Sequence, residues 1–156
     1  DTHGGSLRVY IKKGKKIKIE KNVKALLKEE EIFGIKKYKT YQDFGVKINK
    51  LKENVIKNID NLKKNNNKIV GFGAPAKATT ALNFFGVSNQ IDYVIEDNKL
   101  KHNKFIPGVM IPIKDKKTLK EKNVLILVLA WNFYNEIKKN NLKLSNNFVN
   151  IKDLEK

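Results

Sequence analysis

Apolar residues at Phe44, Ile48, Leu51, Val55, Ile59 and Leu62 recur at three- and four-residue steps, the spacing of one helical stripe. They predict a single long amphipathic helix from about Tyr41 to Lys64, with a lysine-rich outer face and a stripe that packs or docks. Upstream, Leu7-Arg8-Val9-Tyr10-Ile11 alternates as a strand does and is followed by a lysine turn around Gly14. Asn22 stands where an N-cap belongs, ahead of Val23, Leu26 and Leu27, and Gly34 supplies a stop. The run Asn65–Asn67 breaks the long helix.

Beyond it the pattern alternates. Strand Lys68–Gly71, helix Ala76–Phe85 and strand Ile91–Ile95 are followed by an irregular stretch carrying Pro107-Gly108 and Pro112. A short helix near Lys116–Lys120, strand Val124–Leu129, helix Asn132–Lys139 and strand Phe148–Ile151 complete the chain. Val124–Leu129 is apolar on both faces, as a central parallel strand is. The predicted fold class is α/β: a small Rossmann-like, mostly parallel sheet flanked by helices and preceded by a long amphipathic helix. Residues 15–66 form the helical lead-in and 67–156 the Rossmann-like domain.

Composition narrows the chemistry. The 156 residues suffice for about one domain. Without cysteine there is no disulfide scaffold, thiolate metal site or cysteine nucleophile. Two histidines, His3 and His102, leave little for a histidine-rich metal site, and none is expected. No apolar run reaches the ~18 residues of a membrane span and no stretch has signal-peptide order, so a cytoplasmic location without a membrane partner is expected. The net charge of +17 suggests nucleic acid at first sight. All but one of the 33 basic residues are lysine, however, the exception being Arg8. Recognition of bases and phosphates leans on arginine's planar fork, so the lysine excess argues for a solvated surface rather than a nucleic-acid partner. The chain opens on Asp1-Thr2-His3-Gly4-Gly5-Ser6 without an initiator methionine, and reads as a cut from something longer.

Ligands of open parallel sheets bind beyond the carboxyl ends of the strands. Three such ends stand out. In Gly71-Phe72-Gly73-Ala74-Pro75-Ala76-Lys77, Gly71 permits a tight turn, Gly73 a close backbone approach, and Pro75 the first turn of a helix. The helix N-terminus then favours an anion and Lys77 adds a full charge. Glu96-Asp97-Asn98 ends the second strand, and Ala130-Trp131-Asn132 the most apolar one. Each has a plainer reading. Gly-x-Gly-x-x-Ala is often only a tight turn, Trp131 can be core or a stacking platform, and Asn132 can cap a helix or touch ligand. Glu96 and Asp97 can simply end a strand, and His102 reads as solvated. With Glu96 beyond the second strand, the glycine pattern is also that of a dinucleotide site, which leaves an NAD-binding oxidoreductase domain open.

The stretch Gly71–Gly86 resembles the carboxy-terminal domain of the SAM-dependent C-methyltransferases of nucleotide-linked deoxysugars. Thr2–Arg8 is similar to the segment with which that family leaves its SAM-binding domain, which gives residues 1–14 that role. Asn98, Lys101, Pro107-Gly108 and Ile111-Pro112-Ile113 match its next block, and Leu127–Asn132 its late Trp-Asn block. The sequence departs from the family at Lys99, where proline is usual, at His102-Asn103, where Gln-Gly is usual, and at Ala130, where proline is usual.

The resemblance implies a three-part enzyme with an amino-terminal zinc-binding part, a central SAM domain and this domain. SAM and structural zinc belong to the part before this chain, which itself carries no cofactor. The implied reaction methylates a sugar carbon next to a ketone: a base takes the alpha proton and the enolate attacks the SAM methyl group. The base is expected upstream of this chain, which alone is expected to be inactive. The implied partners are a nucleotide-linked sugar and the SAM-binding domain of the same chain. Gly71, Gly73, Ala74, Pro75, Lys77, Asn98, Lys101, Trp131 and Asn132 would form one wall of the sugar-nucleotide site, with the Gly73–Ala76 amides and Lys77 on the pyrophosphate. Apolar surface around Val9, Phe44 and Ile48 would face the preceding domain. A basic polyanion-binding or interaction module is the remaining alternative.

Overall fold

The structure is a computed structural model that describes residues 5–14, 18–66, 68–121 and 124–156. His3, with Thr2 and Gly4, lies outside the described residues. The chain divides between residues 48 and 49 into two compact parts.

In the first part, Leu7–Ile11 is not a strand. Val9 and Ile11 are exposed, and an alternating pattern becomes a strand only when a neighbour satisfies its backbone groups. Helix α1, Lys21–Phe33, has Glu20 at its N-cap position, with no side-chain cap hydrogen bond, and Asn22 lies inside its first turn. Gly34 ends it as the sequence predicts, in the left-handed conformation (φ 84°) with its N–H donated to the carbonyls of Glu30 and Glu31. Helix α2, Tyr38–Asn65, begins slightly ahead of its predicted start. Phe44, on the predicted stripe, is 61% exposed.

The second part is built on a six-stranded sheet. Its strands are β1 (Ile69–Phe72), β2 (Tyr93–Glu96), β3 (Lys104–Phe105), β4 (Pro112–Asp115), β5 (Leu125–Val128) and β6 (Phe148–Asn150). They lie in the order β3-β4-β2-β1-β5-β6, parallel except for β3 against β4. Helix α3 (Ala76–Phe85) follows β1, and α4 (Tyr134–Asn140) follows β5 after a 3₁₀ turn, Trp131–Phe133. The expected α/β class, parallel sheet and long leading helix are all present.

Alternation along the strands separates two cores. Ile69, Leu125 and Leu127 face Val55 and Ile59 of α2 and Leu82 of α3. Val70, Phe72, Ile126 and Val128 face the opposite way, against Tyr134 and Ile137 of α4. Val55 and Ile59 are fully buried, each contributing about 1.5–3 kcal/mol, so this length of the stripe is core.

The stretch expected to be irregular is instead the hairpin β3–β4. Ile106 N–H donates to Ile111 O and Met110 N–H to Ile106 O, each at 2.9 Å. Gly108 (φ 85°) turns the chain, and the short edge strand and Pro112 at the start of β4 hide the pair from a pattern reading. The predicted helix near Lys116–Lys120 is only a 3₁₀ turn, Lys116–Thr118. No helix among the described residues is long and apolar enough to cross a membrane.

Candidate functional site

Strands β1 and β5 are neighbours, with Phe72 opposite Val128. The chain leaves β1 for α3 on one face of the sheet and β5 for α4 on the other. Their carboxyl ends therefore mark a topological switch point, where a crevice opens. A cleft of about 500 Å³ lies there.

Gly73, at φ 88°, donates its N–H to Ile95 O at 2.8 Å. A methyl group added to it would lie 3.0 Å from Ala130 Cβ, so the loops after β1 and β5 nearly touch. Ala74 N–H donates to Glu96 Oε2 at 2.8 Å, and Asn98 N–H to Glu96 Oε1 at 3.0 Å. Lys101 Nζ donates to Ala74 O at 2.9 Å and stands 3.6 Å from Glu96 Oε2. Burial alone would raise the Glu96 pKa. The Ala74 and Asn98 amides and the Lys101 charge outweigh it and hold the carboxyl below the ordinary glutamate range.

This arrangement bears on the expectation for the glycine loop. Of the Gly73–Ala76 amides expected to hold pyrophosphate, those of Gly73 and Ala74 donate to a carbonyl and a carboxylate of the protein itself. Pro75, which has no N–H, is the N-cap of α3. A carboxylate beside the loop also repels a phosphate. Glu96 already accepts one amide on each carboxylate oxygen, which leaves each oxygen a further lone pair.

The other expected residues separate into distinct positions. Gly71 lies inside β1, where an added methyl group would be 2.8 Å from Val94 Cγ2 and 3.0 Å from Leu129 Cδ1. It is there for packing and does not face the cleft. Lys77 Nζ sits 4.8 Å from the Trp131 ring centroid. Trp131 itself is half-buried against the α2–α3 core, so it is both core and platform. Asn98 caps the 3₁₀ turn Lys99–Lys101 by accepting from Leu100 N–H at 3.0 Å. Asn132 is exposed within its own 3₁₀ turn and does not cap α4, whose N-cap is Phe133. Gly73, Pro75 and Lys101 line the cleft, while Lys77 and Trp131 meet beside it.

Three contributors escaped the sequence reading. His102 is not solvated: its side chain is 14% exposed, with Nε2 2.7 Å from Glu96 O and Nδ1 3.9 Å from Asp115 Oδ2. A carbonyl only accepts, so the ring donates from Nε2. Seeing this required β4, whose end carries Asp115. Phe133 and Glu136 line the cleft, together with Ile137 and Asn140. Their three- and four-residue spacing after the Trp-Asn pair was the available signal. Among the described residues, no group of three or more His, Cys, Asp or Glu could hold a metal ion.

Residues 1–150 match the family described as the C-methyltransferase C-terminal domain. The C-methyltransferase NovU of Streptomyces niveus is 27% identical over 140 residues, covering 88% of this chain and 33% of NovU. The chain thus spans about a third of the length of the curated relative it matches.

Proposed function

The chain belongs to the C-methyltransferase C-terminal domain family, and from that premise we propose that it is the substrate-binding part of a SAM-dependent enzyme methylating a nucleotide-linked deoxysugar. The methylated carbon is the one next to the sugar's keto group. SAM, structural zinc and the proton-abstracting base belong to a preceding part, and this chain alone is inactive in methyl transfer. The observation that carries the reading is the meeting of Lys77 and Trp131, from the helical turns that follow two adjacent parallel strands. An aromatic face and a cation at a switch point suit a nucleotide diphosphate. With the Gly73 and Ala74 amides engaged, the Lys77 charge is what addresses the diphosphate.

The test is an amide NMR titration of the 156-residue chain with dTDP-glucose and, separately, S-adenosylhomocysteine. Shifts at Lys77 and Trp131 with the sugar nucleotide, lost in Lys77→Ala, support the assignment. Shifts there with S-adenosylhomocysteine instead, or none with dTDP-glucose, overturn it.

A further inference from the structure

The switch-point cleft has a charge arrangement that selects among the parts of such a substrate. Its ionised groups are the carboxylates of Glu96, Asp97 and Glu136 and the lysines Lys101 and Lys116. Lys116 pairs with Asp97 at 2.7 Å, and Lys101 stands 3.6 Å from Glu96. Both cations are thereby neutralised within the cleft. Glu136 is left over, with no ion pair among the described residues. Among the lining groups the carboxylates exceed the lysines by one, and that surplus charge acts at short range. A phosphate entering there meets repulsion.

The remaining lining joins the amides of Asn140 and Asn141 to apolar groups. Phe133, 55% exposed, presents an aromatic surface, with Pro75 and Ala130 beside it. An aromatic face next to a carboxylate with open lone pairs matches a ring that is apolar on its flat side and carries hydroxyl donors at its edge. The volume of about 500 Å³ lies within the usual range for small-molecule sites.

We propose that this cleft binds an uncharged, hydroxyl-bearing ring and keeps the diphosphate outside, with Glu136 accepting from the hydroxyls and Phe133 covering the ring face. This rests on the substrate-binding reading above and deepens it. Such a ring comes from either end of a nucleotide-linked sugar, the glycosyl group or the nucleoside. Lys77, beside the cleft, then meets the charge that the cleft excludes.

The ¹⁵N-labelled 156-residue chain is titrated in parallel with 6-deoxyglucose, thymidine and inorganic pyrophosphate at matched ionic strength. The expected result is that one neutral probe shifts the amides of Phe133, Glu136 and Asn140 while pyrophosphate leaves them in place. Which neutral probe does so identifies the bound end. Glu136→Gln, an exposed change that leaves the core intact, should weaken that probe several-fold. Pyrophosphate shifts at these amides overturn the proposal, as does silence toward both neutral probes, or full retention of binding in Glu136→Gln. The substrate-binding reading is judged separately by dTDP-glucose at Lys77 and Trp131, so it can survive failure of the cleft assignment.

Discussion

Lys77 and Trp131 are 54 positions apart in the chain and meet with the ammonium 4.8 Å from the indole centroid. Their contact joins the first turn of α3, after β1, to the 3₁₀ turn after β5. Trp131 is the only tryptophan, so the fluorescence reports on the surroundings of this one residue, the Lys77 contact included. Lys77→Ala should change that emission while lowering stability by no more than about 1 kcal/mol, the usual size of an exposed cation–π pair. Denaturant titration followed by far-UV circular dichroism measures the second quantity. A larger loss would mean that Lys77 supports the fold by other means.

Glu96 should make stability depend on pH. Its folded pKa lies below the ordinary value of 4.5, so its contribution is complete above that value and lost as the pH falls through the folded pKa. Glu96→Gln removes the charge while keeping the shape. It should cost about 1.5–3 kcal/mol at neutral pH, the range for hydrogen bonds to a charged group, and the difference from the native chain should shrink in acid. A pH-independent difference would assign the effect to packing.

Gly71→Ala should destabilise by about 1–3 kcal/mol, because its methyl group would press on Val94 and Leu129 in a filled core. Because Gly71 lies within β1 and does not face the cleft, ligand shifts in the folded variant should be unchanged. Loss of binding with stability intact would move Gly71 back into the site.

Ile59→Ala should cost about 2–5 kcal/mol, whereas Phe44→Ser should stay within about 0.5 kcal/mol. Both residues lie on one stripe of α2, yet Ile59 is fully buried and Phe44 is 61% exposed. Thermal melts of the two variants check this directly. Equal losses would show that the Phe44 end is packed in solution.

What the sequence revealed and what it hid follow from the range of the forces involved. Helix α3 carries its own signals, with Pro75 at its start and Gly86 in the left-handed conformation at its end, and was predicted residue for residue. The central strands β1 and β5 are continuous apolar runs and were placed to within a residue or so. Leu7–Ile11 alternates as a strand does, but among the described residues no partner strand pairs with it. β3 and β4 are the opposite case: their pairing is tertiary, and Pro112 reads as a break until the edge geometry is known.

The site divided in the same way. That the ends of β1 and β5 carry the candidate residues is legible from the strand pattern and the loops. Which groups engage one another is not, because Glu96 reaches Ala74 and His102 reaches Glu96 only once β2 lies beside β1 and β4 beside β2. The plain reading of Glu96 as a strand terminator missed its most consequential contact.

That contact makes the Glu96 carboxylate an internal competitor. Any free anion seeking the Ala74 amide must displace a group attached to the same molecule, held by two amides at an effective concentration of at least ~1 mM. The loop is in this sense pre-inhibited: ambient phosphate and abundant nucleotides face an occupied position. Discrimination among ligands then falls to the side chains around the loop, which substitution can change without disturbing the backbone.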